Sequence, residues 1–181
     1  MSIQLFKDYT PQFVNPLSFS EEKLPLIVFV DNRNSWFSWL IKDHTKGNYN
    51  HAMWMHAPNK VTSQDPGGCK EKDILEYKKK NTLMKFWSIQ VTSEEKAKIL
   101  KNLEDRRKKK TSYDFLGLFG QWFNFKCIQN PWKEFCSEQI ALVLKESLNM
   151  KVPTRPSPSL LNDFFNSLPE RFQVKGYWLS D

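Results

Sequence analysis

Apolar residues in this chain fall into short runs with two periodicities. Residues 24–30 (Leu-Pro-Leu-Ile-Val-Phe-Val) are apolar and partly β-branched and stop at Asp31-Asn32, which predicts a buried strand. Residues 50–56 alternate loosely and predict a second strand, with His51, Met53 and Met55 on one face and Ala52, Trp54 and His56 on the other. Ala57-Pro58-Asn59-Lys60 reads as a hairpin-like turn into a short return strand over 61–64, which Asp65-Pro66-Gly67-Gly68 breaks. Residues 74–77 predict a short helix and 83–91 a further strand. Thr92 and Glu95 make a capping box, in which each side chain satisfies the other's free amide. The helix that follows runs to about residue 109, with Ala97, Leu100 and then Leu103 or Glu104 along one side. Ile140, Val143, Leu144 and Leu148 recur at helical spacing, so a helix starts at Cys136 or Ser137 and ends near Asn149. After Pro153, Pro156 and Pro158, residues 159–168 predict a last short helix. Another short helix over 35–42, capped by Asn34 or Ser35, a turn at Lys46-Gly47-Asn48 and an aromatic loop-plus-helix segment over 113–125 complete the reading. Strands cluster in the first half and helices at the end, which is an α+β pattern.

Composition narrows the class. At 181 residues, with 40% hydrophobic residues and seven tryptophans, the chain can bury a single core. Residues 1–23 are polar and interrupted by Pro11 and Pro16, an N-terminal arm; residues 24–181 read as one domain. No stretch approaches the roughly 18–20 apolar residues of a membrane span. The first residues show no basic region followed by an apolar core, so synthesis in the cytoplasm, or export by a route that needs no cleaved signal, is expected. Three cysteines, an odd number, argue against a disulfide framework and for a reduced compartment. There is no C-x-x-C pair, and three scattered histidines give no zinc spacing, so neither metal nor cofactor is expected. The net charge of +7 gathers partly at Lys78-Lys79-Lys80 and at 106–110. Such runs are ordinarily solvated faces, and a basic surface also suits an anionic lipid headgroup or an acidic cell-wall polymer. No helix-turn-helix, zinc or RNP-like signature is present, so no specific nucleic-acid partner is expected.

Two residues bring chemistry. Cys136 opens a helix-like run, where unpaired amides carry partial positive charge and favour a thiolate. Its own backbone amide is suited to donate to an oxyanion. A free cysteine is also among the most buried residue types, so taken alone it fits a small core residue as well. His51 begins a strand, a rigid platform for a general base whose far nitrogen a third group must hold. His56 falls on the opposite strand face and His44 in a loop. Should strands 50–56 and 61–64 pair as a hairpin, Gln64 comes opposite the start of the first, beside His51; Asp65 is the next choice. Cys69, after two glycines in a loop, and Cys127, among aromatics and lysine, open no apolar helix.

These segments together resemble the circularly permuted papain-like thiol hydrolases of the NlpC superfamily, in particular the YiiX/YaeF-like branch. The resemblance rests on Tyr49-Asn50-His51-Ala52, on Asp65-Pro66-Gly67-Gly68, on Ser93-Glu94-Glu95 with Tyr113-Asp114, and on Cys136-Ser137-Glu138, and it covers about residues 24–165. It implies a small antiparallel sheet packed against the Cys136 helix, with Cys136 as nucleophile and His51 as base. The family's third residue is commonly a glutamate on the return strand; Thr62-Ser63-Gln64-Asp65 lacks it, and Gln64 is the nearest substitute. Tyr113 and Asp114 match the family's pair before the cysteine, which implies a substrate-binding or orienting position. The implied activity is cysteine-dependent hydrolysis of amide bonds, first of all a phage-type peptidoglycan peptidase or amidase. A lipid amidase or acyltransferase with an acyl pocket lined by Trp122-Phe123-Asn124-Phe125 is the alternative, and a binding or structural module that keeps the fold without the chemistry is another.

Overall fold

The computed structural model describes residues 13–32, 48–65, 68–109, 112–113, 133–134 and 136–180. Within them the chain is α+β. Strands β1 (Leu26–Asn32), β2 (His51–Ala57), β3 (Lys60–Asp65), β4 (Gly68–Asp73), β5 (Thr82–Ile89) and β8 (Phe172–Leu179) form one six-stranded sheet in the order β4-β3-β2-β1-β5-β8. All its pairings are antiparallel. Two residues each, β6 (Ser112–Tyr113) and β7 (Lys133–Glu134) pair in parallel apart from it. Helices α1 (Ser93–Lys109), α2 (Cys136–Leu148) and α3 (Pro158–Asn166) follow. The predicted helix over 35–42, Lys46-Gly47, Pro66-Gly67, Cys127 and the segment from Asp114 through Phe125 lie outside the described residues.

The sheet is apolar on both faces, because β1 and β5 are buried on both sides. One face carries Ile27, Phe29, Ala52, Trp54, Trp87 and Ile89 and packs on Ile99 and Leu103 of α1, Ile140, Val143 and Leu144 of α2, and Leu161 and Phe165 of α3. The other carries Leu26, Val28, Val30, Met53, Met55, Met84 and Phe86 and is covered by Phe19, Leu24 and Ile74. Met53 and Met55 therefore share one face of β2 and Ala52 and Trp54 the other, as the alternation predicts. The described part of the N-terminal arm is packed: Val14 donates its backbone amide to Tyr177 at 2.8 Å, and Phe19 lies against Phe86.

Three elements depart from the sequence reading. Cys69, expected in a loop, is buried on β4. That strand is polar (Gly-Cys-Lys-Glu-Lys-Asp) and lies at the sheet edge, where a full backbone ladder to β3 defines it instead of an apolar alternation. Strand β8 was not foreseen because a bulge breaks its period: pairing slips between Phe86 and Trp87, so Phe172 and Val174 join the helix-side core while Trp178 joins the other. On α1 the inward residues are Ile99, Leu103 and Arg106, whereas Ala97 is exposed. Ile99 and Leu103 pack in the helix-side core and Arg106 reaches Glu146 of α2 at 2.7 Å, and a charged residue does not announce itself as buried. The capping box forms as read, with Thr92 N donating to Glu95 Oε2 at 2.8 Å and Glu95 N to Thr92 Oγ1 at 3.2 Å.

Candidate functional site

One end of the sheet gathers the start of β2, the end of β3 and the start of β4, since Val30 pairs with His51 and Asp65 with Gly68. Helix α2 starts there as well. Its Gln139, one turn after Cys136, donates Nε2 to Cys69 Sγ at 2.9 Å, and Cys69 is paired with Gln64. The start of α2 is fixed by its own local bonds. Ser137 Oγ donates to the carbonyl of Pro156 at 2.5 Å, and Glu138 meets Arg155 Nε at 3.2 Å. Cys136 is the first residue of the helix and is buried, with a relative exposure of 5%.

The His51 side chain is hydrogen-bonded to that of Cys136 and also meets a polar group on β3. Its Nε2 is 2.8 Å from Ser63 Oγ and 3.5 Å from Asp65 Oδ1, and Ser63 Oγ donates to Asp65 Oδ1 at 3.1 Å. That fixes the proton inventory. With the Ser63 hydroxyl donating to the carboxylate, Ser63 Oγ accepts from His51, an arrangement that assigns the ring proton to Nε2. Nδ1 is left as the lone-pair nitrogen for the thiol. Burial disfavours the imidazolium, but the charge of Cys136 and a side-chain hydrogen bond to it, then the charge of Asp65, outweigh burial, with Lys72 opposing. The net result is an imidazole pKa above its ordinary value.

Asp65 is held in its charged form from the other side. Lys72 Nζ and Tyr77 OH both reach Oδ2 at 2.7 Å. Burial would raise its pKa, but the charge of His51 and the bonds from Lys72 and Tyr77 bring it below the ordinary carboxylate value. Tyr77 also stacks on the His51 ring, with centroids 5.3 Å apart and planes 14° from parallel.

Gln64, the first choice for the third residue, lies on the opposite face of β3 from Ser63 and Asp65, and Asp65 occupies the place beside the ring. The cause is a bulge between Met55 and Ala57. Without it, continuing the pairing of Ala57 with Lys60 would put Gln64 on the His51 face; with it, Trp54 pairs with Thr62, and the side of every later β3 residue is reversed. Tyr113 ends the short strand β6, paired with Glu134 just before the Cys136 helix; Asp114 is outside the described residues. His56 belongs to a separate cluster with Thr62, Glu71 and Arg107 on the α1 side. Ser63, Lys72 and Tyr77 were not foreseen. The two-residue spacing of Ser63 and Asp65 on one strand could have suggested Ser63 once the register was known, but nothing local marks Lys72 or Tyr77.

Among the described residues no group of His, Cys, Asp and Glu could hold a metal ion, and no helix is long and apolar enough to cross a membrane. No family model and no curated protein matches this chain in sequence.

Proposed function

We propose that this protein is a thiol hydrolase acting on amide bonds, with Cys136 as nucleophile, His51 as general acid–base and Ser63 with Asp65 as the orienting pair. The observation that carries the proposal is the His51 ring hydrogen-bonded to the Cys136 side chain and, through Nε2, in contact with Ser63, which donates to Asp65. A nucleophile, a base and an orienter in sequence are the arrangement that acyl-transfer chemistry requires. His51 Nδ1 takes the thiol proton, and the thiolate adds to the carbonyl carbon. The Cys136 backbone amide, unused by helix hydrogen bonds at this first position, donates to the oxyanion. The imidazolium gives its proton to the leaving amine, and water activated by the neutral ring then releases the acyl group. Interposing a serine keeps the carboxylate from bonding the ring at close range, while its charge still favours the imidazolium.

The histidine strand precedes the cysteine helix in the chain, and both meet at one sheet end. That order supports a permuted papain-like topology over the papain order. The substrate we favour is a peptide amide of a cell-wall polymer, in keeping with the net charge of +7, and action at the cell envelope or from a virion follows from that choice.

The test is alkylation of Cys136 by iodoacetamide as a function of pH, with Cys136→Ser as the blank. A thiolate–imidazolium pair gives rapid labelling well below pH 8, where a free thiol, with a pKa of about 8.5, labels slowly. Labelling that tracks a free thiol, or none at all, removes the proposal. Turnover of peptidoglycan fragments against lipid amides then separates the two substrate classes.

A further inference from the structure

We propose that Tyr77 is a positioning residue that sets the plane and the tautomer of His51; the proposal rests on the hydrolase reading above and deepens it. Tyr77 makes two different contacts with two different members of the site. Its ring lies nearly parallel to the imidazole, and its hydroxyl donates to Asp65 Oδ2 at 2.7 Å. Stacking fixes the ring plane. The hydroxyl, together with Lys72, occupies Oδ2, so Oδ1 is the oxygen left for Ser63 and His51. A carboxylate free to turn would offer either oxygen, and the hydrogen bond that keeps the His51 proton on Nε2 would come and go. Lys72 cannot replace the tyrosine, since it meets Oδ2 as a flexible point charge and lies over the Tyr77 ring, 5.4 Å from its centre.

Tyr77 is itself firmly placed. It ends a 3-10 turn, Ile74–Tyr77, that leaves β4 directly, and Ile74 N donates to the Asn59 carbonyl at 2.9 Å. Asp73 accepts from Leu75 N at 2.9 Å, and Glu76 accepts from Asp73 N at 3.2 Å. Ile74 is buried in the core face that carries Met53 and Met55, and Tyr77 packs against that cluster. The turn therefore brings a phenol to the imidazole on a support whose backbone and side chains are both satisfied.

The experiment compares wild type, Tyr77→Phe and Tyr77→Leu by nitrogen-15 NMR of the histidine rings and by Cys136 alkylation at pH 6, with thermal melts confirming the fold. In wild type the neutral His51 ring shows one tautomer, protonated at Nε2. Tyr77→Leu gives a tautomer mixture and slows alkylation about tenfold, the equivalent of one pH unit in the thiolate–imidazolium equilibrium. Tyr77→Phe keeps the stack and shows a smaller loss. A folded Tyr77→Leu with the wild-type tautomer and alkylation rate overturns the role. Should the leucine variant not fold, the phenylalanine variant decides, and an alkylation profile identical to wild type overturns it. A wild-type thiol that labels like a free one, combined with a His51 tautomer that still changes in Tyr77→Leu, removes the hydrolase reading and leaves the hold of Tyr77 on the ring standing.

Discussion

His51 carries opposing demands in a few ångströms. Its side chain is 17% exposed, yet its charge is set by neighbours more than by water. Because its folded pKa is raised, the stability it lends is fully present below its ordinary value of 6.5 and is lost as pH rises through the higher folded value. Asp65 runs the other way: its contribution is present above its ordinary 3.8 and disappears as acid takes the pH down through its lowered folded value. His51→Ala should abolish turnover, and its difference from wild type in melting temperature should grow as pH falls through the raised folded value and level off below 6.5. A collapse of the fold instead would make His51 a structural residue, and melts at several pH values read this directly. At this scale the positions of Cys136 at a helix start and His51 at a strand start were legible, because a cysteine opening an apolar helix and a histidine opening a strand are local patterns. Ser63, Lys72 and Tyr77 were not, because their meeting with His51 and Asp65 depends on how β2, β3 and β4 pair and not on a local pattern.

Among elements, the caps and the bulges decide where side chains arrive. The Thr92–Glu95 box starts α1, and Arg171 NH2 adds a contact to Glu95 Oε1 at 2.7 Å, tying that start to the chain before β8. Thr92→Ala should cost about 1 kcal/mol in chemical denaturation, the usual worth of an N-cap oxygen, with the activity profile unchanged. A loss several times larger would mean that the cap holds more than the helix. The bulge in β2 has the larger functional reach. One extra residue between Met55 and Ala57 exchanges the faces of Gln64 and Asp65, so which of the two lies beside His51 is a property of strand register. Residue preference at 64 or 65 carries no trace of it. The same physics hid β8, whose apolar residues change face across its own bulge.

Across the whole molecule the sheet has a core on each side, and a buried amine lies under the helix-side layer. Lys85 is 6% exposed, donates to Asn162 Oδ1 of α3 at 3.0 Å, and lies 4.3 Å from the centre of the Trp87 ring. Burial lowers its pKa to about 8, against the pull of Asp163. Between that value and its ordinary 10.5 the unfolded chain binds the proton that the folded chain has released, so stability should rise with pH from about 8 toward 10. Lys85→Met should flatten that rise, as followed by denaturation midpoints over the interval. An unchanged slope would assign it to other groups. The chain by itself determined the α+β class, most of the strands, the helix that begins at Cys136 and the strand that begins at His51, because all of these follow from local periodicity, capping and residue chemistry. Tertiary structure alone decided that the sheet has six strands, that Asp65 and not Gln64 stands by the imidazole, and that Tyr77 lies flat against it. Those outcomes depend on backbone ladders and register, which are set by pairing between distant segments and leave no local signature.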